Sequence, residues 1–125
     1  MTNTPNEDLD SLDLAQFIAR IIDEKQGTDT LILPVGDILS ITEYFVVTSA
    51  SNPRLVRAIA DAVLTGIRDL SGRGPLRSEG IREQSWVLID YGDVVVHIFD
   101  DESRRFYEIE RLYNCLLYTS DAADE

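Results

Sequence analysis

The chain has 125 residues, enough for one domain with a buried core, and its 44% hydrophobic and 27% charged residues are typical of a globular protein. Its net charge of −12 disfavours a direct clamp on nucleic-acid phosphates, and one Cys with one His excludes both an internal disulfide framework and a four-ligand zinc site. The acidic N-terminus resembles neither a secretory signal nor a transit peptide, and no apolar run reaches the roughly 18 residues of a membrane helix, so a cytoplasmic location is expected.

The first half of the chain predicts a tail, a helix and two strands. Residues 1–8 are polar and are expected to form a disordered tail. From Asp10 to Gln26 apolar residues recur at helical spacing, and Gly27 follows as a stop. Thr30–Val35 and Glu43–Ala50 are rich in β-branched, aliphatic and aromatic residues, which predicts two strands.

The second half adds helices and three more strands. Asn52 followed by Pro53 is typical of a helix start, and the apolar stripe that follows ends at Gly72. The remaining predicted elements are a weak strand around Leu76, strands at 85–90 and 93–99, and a helix from Ser103 to Leu112. The order α-β-β-α-β-β-β-α predicts a single α/β domain with a mixed sheet of about five strands flanked by helices.

The last eleven residues, CLLYTSDAADE, carry three acids and no base. Their back-translation matches the end sequence of a transposon used to tag DNA libraries, so we interpret residues 115–125 as adapter read-through. On this hypothesis Cys115 is not a native thiol, the native net charge is −12 + 3 = −9, and the native C-terminus beyond Asn114 is missing. Resequencing untagged DNA from the source locus tests it.

The stretch WVLIDYGDVVVHIF predicts a hairpin with a two-residue turn at Tyr91 and Gly92. In that register Asp90 pairs with Asp93 and Trp86 with His97, and alternation sorts the side chains onto two faces. The first face is aliphatic and is expected to pack on a helix; it holds Val87, Ile89, Val94, Val96 and Ile98. The second face mixes aromatic, apolar and acidic residues; it holds Trp86, Leu88, Asp90, Asp93, Val95, His97 and Phe99.

Two carboxylates opposite each other destabilise a strand pair, so a partner's Lys or Arg, a metal or an internal Arg should offset them. Trp and Tyr beside apolar residues are typical of a protein interface, and an acidic chain attracts a basic partner. Two alternatives stay open: Trp86 can belong to the core with Asp90 and Asp93 as solvated turn residues, and the net charge can serve solubility alone.

The pattern gives little support to catalysis. His97, the single imidazole, lies in a strand opposite Trp86, where a histidine is usually packed or hydrogen-bonded. The serines lack the G-x-S-x-G context and the glycines form neither G-x-G-x-x-G nor a Walker loop. No catalytic residue, metal site or cofactor is therefore predicted from the pattern.

Three stretches together resemble one known family: ITEYFVVTSASNPRLVRAIADAV, SEGIREQSWVLID and DYGDVVVHIFDDESRRFYEIERLY. They resemble the ribosomal silencing factor family, also called Iojap-like, over about residues 12–113. The resemblance implies an α/β fold related to nucleotidyltransferases, without enzymatic activity, over a domain at 9–114. It departs from the family at Glu43, where Asp is favoured, and at Tyr113, where Trp is usual.

The resemblance implies a translational repressor that binds the large ribosomal subunit. The expected partner is a basic ribosomal protein, universal large-subunit protein fourteen, whose occlusion blocks joining of the small subunit. Dimers occur in the family, so a homodimer could hide the binding face. Positions that match the family are Trp86, Asp90, Gly92, Asp93, Val95, His97, Ser103, Arg104, Arg105 and Tyr107.

From the hairpin register and the resemblance we predict that Trp86, Leu88 and Val95 supply apolar contact while Asp90 and Asp93 meet partner Lys or Arg. The full predicted partner-binding set is Trp86, Leu88, Asp90, Tyr91, Gly92, Asp93, Val95, His97 and Tyr107. Two alternative functions stay open: a metal-dependent nucleotidyltransferase, which would need carboxylates around Mg²⁺, and a plain dimerisation module using the same face.

Overall fold

A computed structural model describes residues 10–36 and 42–107, with side chains described as far as Arg105. Its elements in chain order are α1 (Ser11–Glu24), β1 (Thr28–Pro34), β2 (Tyr44–Ala50), α2 (Pro53–Ser71), β3 (Arg77–Glu79), β4 (Trp86–Asp90), β5 (Val94–Asp100) and α3 (Asp101–Tyr107). The predicted order α-β-β-α-β-β-β-α is confirmed, and the predictions for 1–8, 108–112 and 115–125 lie outside the described residues.

Both long helices begin where a side chain caps the backbone. The Asp10 carboxylate accepts from the Asp13 N–H, and the Asn52 side chain accepts from the Leu55 N–H at 2.9 Å with proline in the first turn. Helix α2 ends before Gly72, as predicted. The apolar stripe of each helix therefore starts at a fixed point and faces the sheet along its length.

The five strands form one sheet in the order β1-β2-β5-β4-β3. The central strands β2 and β5 run parallel, and the other pairs are antiparallel, so the predicted mixed sheet is confirmed. The connection from β2 to β5 crosses through α2, β3 and β4. This crossover leaves the short strand β3 at one edge of the sheet, beside β4.

The two faces of the sheet differ in chemistry, as the alternation predicted. The face that packs on α1 and α2 is a continuous aliphatic core in which Val87, Ile89, Val94, Val96 and Ile98 are fully buried. The opposite face has a smaller cluster around Val47 and Phe99, with Trp86 packed at its margin. Among the described helices none is long and apolar enough to cross a membrane.

Candidate functional site

The register of the β4–β5 hairpin differs from the prediction. Asp90 pairs with Val95 and Trp86 with Phe99, so each β4 residue meets a β5 residue two positions further along than predicted. The predicted two-residue turn and the Asp90–Asp93 pair are therefore wrong. Because side chains alternate with a period of two, a shift of two leaves every residue of β4 and β5 on its predicted face.

The turn is longer than predicted because Asp90 and Tyr91 make hydrogen bonds within it. The Asp90 Oδ1 accepts from the Gly92 N–H at 2.8 Å, and the Tyr91 N–H donates to the Val94 carbonyl at 2.9 Å. Gly92 has φ +96°, a conformation that favours glycine. The sequence predicted Tyr91 in a two-residue turn, but its ring is buried in the aliphatic core.

Asp93 is bonded on both oxygens to parts of the chain far away in sequence. Its Oδ1 accepts from the Arg73 guanidinium at 3.0 Å, and its Oδ2 accepts from the Ser11 hydroxyl at 3.0 Å. Arg73 also donates to the Tyr91 carbonyl at 2.7 Å and lies over the Tyr91 ring. Thr42 adds a hydrogen bond to the Gly92 carbonyl. The turn is thus fixed by residues from three other segments.

Asp90 has an internal cation as well. Arg77 on β3 lies opposite Asp90, and its Nε is 3.4 Å from the Asp90 Oδ2. The sequence left a partner's cation, a metal or an internal arginine to offset the two carboxylates. An internal arginine pairs with each of them, Arg77 with Asp90 and Arg73 with Asp93. The expectation that Asp93 needs a partner's Lys or Arg loses its physical reason, because both of its oxygens are already hydrogen-bonded.

His97 is buried and linked to the only tryptophan. The Trp86 Nε1–H donates to the His97 Nδ1 at 3.1 Å, so a neutral imidazole carries its proton on Nε2. Burial lowers the pKa of His97 to about 4, against a smaller opposing effect of the Asp90 charge. The Trp86 ring also stacks on Phe99 at 5.0 Å between centroids. His97 therefore holds the indole in place, which agrees with the packed rather than the catalytic interpretation.

Tyr91 carries a buried hydroxyl. Within the described part of the chain its Oη has no hydrogen-bond partner, as is also true of the His97 Nε2. Burial raises the pKa of Tyr91 to about 12, although Arg73 and Arg68 act in the opposite direction. The ring fills the core, whereas the unpaired buried hydroxyl group lowers the free energy of unfolding.

The predicted partner-binding residues divide into two groups by exposure. Trp86, Leu88, Asp90, Gly92 and Asp93 are half-buried and lie near the surface, whereas Tyr91, Val95 and His97 are buried. The side chain of Tyr107 lies outside the described residues. We use "outer patch" below for Trp86, Leu88 and Asp90, the β4 residues that share the second face of the sheet.

The two arginines of α3 differ in their surroundings. Arg104, one of the positions that match the family, is buried and donates to the Ser49 hydroxyl at 2.7 Å. Arg105 is exposed. The acids Asp101 and Glu102 lie in the first turn, where the helix dipole favours negative charge.

Arg73, Ser11 and Arg77 are site residues that the sequence reasoning missed. Arg73 directly follows Gly72, where the sequence pattern predicts only the end of a helix. Its bond to Asp93 spans 20 positions and that of Ser11 spans 82, so no local pattern indicates either contact. Among the described residues no group of three or more His, Cys, Asp or Glu could hold a metal ion.

Comparison with known proteins gives one consistent family. Residues 8–125 match the model of the family described as "Ribosomal silencing factor during starvation". The chain is similar to a Bacillus subtilis protein named "Ribosomal silencing factor RsfS", with 33% identity over 100 residues that cover 80% of this chain and 84% of that protein. It is 32% identical over 111 residues to the maize "Protein Iojap, chloroplastic", which covers 86% of this chain and 46% of that protein.

A solved structure gives the same result for the fold. The crystal structure of a protein from Chromobacterium violaceum superposes with a TM-score of 0.80 and 28% identity, covering 84% of this chain and 87% of that one. The family match includes residues 115–125, and their assignment to adapter read-through stays a prediction.

Proposed function

Because this chain belongs to the ribosomal silencing factor family, we propose that it represses translation by binding the large ribosomal subunit and blocking its association with the small subunit. The match to this family supports a role at the ribosome. The finer proposal is that the contact is made with universal large-subunit protein fourteen, a basic protein. A net charge of −12 suits such a partner and disfavours a direct grip on RNA.

We place the docking surface at the outer patch. Trp86 and Leu88 supply apolar area, and Asp90 supplies a negative edge that is shared with Arg77. Tyr91, Val95 and His97 support this surface from beneath, since they are buried. The indole is fixed by His97 and Phe99, so little conformational entropy would be lost when a partner covers it.

This role requires no catalysis and no cofactor, and its site of action is the cytoplasm, where ribosomes work. A homodimer through the same face would compete with ribosome binding. Light scattering over a dilution series measures the monomer–dimer equilibrium. A dimer that hides the outer patch must dissociate before the subunit binds.

The proposal is tested by placing a positive charge in the outer patch. Leu88→Lys should weaken cosedimentation with large subunits by about tenfold or more, because two cations then face each other in a desolvated contact. Leu12→Lys on α1 is the matched control: the same exchange at an exposed leucine on the opposite layer should leave binding unchanged. Asp90→Lys is a poorer variant, because it also removes the acceptor of the Gly92 N–H.

Two readouts complete the test. Wild-type protein should lower the fraction of joined ribosomes in sucrose gradients, and purified universal large-subunit protein fourteen should retain the wild-type chain but not Leu88→Lys. Equal cosedimentation of Leu88→Lys and wild-type protein would contradict the location of the contact. Undiminished subunit joining at saturating wild-type protein would contradict the function itself.

A further inference from the structure

A surface groove of about 310 Å³ lies against the outer patch. Its apolar part is formed by Trp86 and Leu88 of β4, and its remaining walls come from β3 and the turn that follows. The residues that line it are Glu79, Gly80, Glu83, Ser85, Trp86 and Leu88. The groove therefore combines an aromatic and aliphatic floor with two acids.

Backbone geometry fixes the wall of this groove. Gly80 has φ +82°, and a Cβ at this position would collide with the Trp86 carbonyl oxygen. The Gln84 N–H donates to the Gly80 carbonyl at 2.8 Å and closes the turn. Only glycine permits this close approach of the turn to β4, so Glu83 of the turn stays beside Trp86.

The acids of the groove differ in exposure from those of the β4–β5 turn. Glu79 lies opposite Leu88 in the β3–β4 pair, so both side chains are on the same face of the sheet. The Glu79 side chain is 59% exposed and its cation is Arg77, which is 57% exposed. Exposed pairs of this kind contribute little to stability, and their charges are easily exchanged for other partners.

We propose that the groove binds one arginine side chain of the cationic partner. The aliphatic stem would lie on Trp86 and Leu88, and the guanidinium would meet Glu79 and Glu83. Arginine suits the groove better than lysine, because its planar head stacks on an indole and can bond two carboxylate oxygens at once. Arg77 occupies part of this acidic edge in the free protein and is displaced on binding. The inference rests on the proposed function for the partner's identity, but the groove's chemistry is testable without ribosomes.

Trp86 is the only tryptophan and reports directly on its groove. We would titrate the full chain with a hexa-arginine peptide at low salt and follow tryptophan fluorescence, with a hexa-citrulline peptide as the uncharged control. The double variant Glu79→Gln, Glu83→Gln should weaken the arginine-dependent change by about fivefold, because both carboxylates that meet the guanidinium are gone. The citrulline peptide should produce no change.

The matched control removes the same number of charges elsewhere. Glu24→Gln with Asp69→Asn neutralises two exposed acids on α1 and α2, the layer on the other side of the sheet. This double variant should bind the arginine peptide within about twofold of wild type, since only the long-range field changes. Equal weakening by both double variants, or by neither, would overturn the groove as the binding site.

Arg77 supplies a second, independent test. Arg77→Gln should tighten arginine-peptide binding by about twofold, because the competing internal cation is removed. Arg57→Gln on α2 is matched to it, since Arg57 is also exposed and paired with an acid, Asp61. The proposal requires a larger gain from Arg77→Gln than from Arg57→Gln, and identical gains would contradict the displacement.

Repeating the comparison with large ribosomal subunits separates this inference from the proposed function. If subunits bind wild type and the Glu79, Glu83 double variant equally well, the function stands and the groove is overturned. If the peptide results hold but wild-type protein ignores subunits, the groove stands and the proposed function fails.

Discussion

The β4–β5 turn and the groove beside Trp86 lie on the same strand and use acidic residues in opposite ways. In the turn, Asp93 has both oxygens bonded within the chain, to Arg73 and Ser11. In the groove, Glu79 is exposed and its cation Arg77 is exposed with it. An acid held in the turn stabilises the fold, whereas an acid in the groove remains available to a partner.

The largest effect is expected at Gly80, which lets the turn after β3 approach β4. Gly80→Ala should destabilise the protein by about 3 kcal/mol, since it combines a left-handed backbone with a collision against the Trp86 carbonyl. Chemical denaturation measures the loss, with Gly74→Ala as control because a Cβ there meets nothing within 4 Å. Equal stability of the two variants would show that the turn can move away from β4.

The His97–Trp86 pair predicts a dependence on pH. The pKa of His97 falls from 6.5 to about 4 on folding, so the unfolded chain binds the proton more readily. Its contribution is therefore complete above about pH 6.5 and is lost as the pH falls towards 4, by an amount on the order of 3 kcal/mol. His97→Asn keeps an acceptor near the indole without titrating, and its unfolding free energy should fall less over this range. Parallel curves for the two proteins would contradict the buried neutral imidazole.

Asp93 should matter for stability rather than for binding. Asp93→Asn should cost about 2 kcal/mol, because the charge-assisted bond from Arg73 is weakened and Ser11 loses a carboxylate acceptor. Large-subunit affinity of the folded variant should stay within about twofold of wild type. Unchanged stability with lost binding would reverse the assignment of the two regions.

The smallest effect is expected at the Tyr91 hydroxyl. Tyr91→Phe should leave stability unchanged or raise it by up to about 1 kcal/mol, because the Oη is buried without a partner in the described structure. Thermal and chemical denaturation at neutral pH measure the difference. A loss of more than about 1 kcal/mol would mean that the hydroxyl makes a stabilising hydrogen bond.

The two-faced hairpin could be predicted from sequence because alternation depends only on whether positions are odd or even. The prediction of an aliphatic face from Val87 to Ile98 is therefore confirmed, even though the predicted register is wrong by two residues. The register itself depends on Tyr91 entering the core and on Asp90 bonding Gly92, and both are set by tertiary packing. The roles of Arg73 and Ser11 could not be predicted, because they join segments far apart in the chain.

We expect the edge of the sheet formed by β3 and β4, and not the helical layer, to meet the ribosome. Amide hydrogen exchange of the chain, free and bound to large subunits, measures this directly. We expect slower amide exchange on binding at residues 77–88 and no change across residues 53–71. Protection of α2 with unaltered exchange at 77–88 would contradict it.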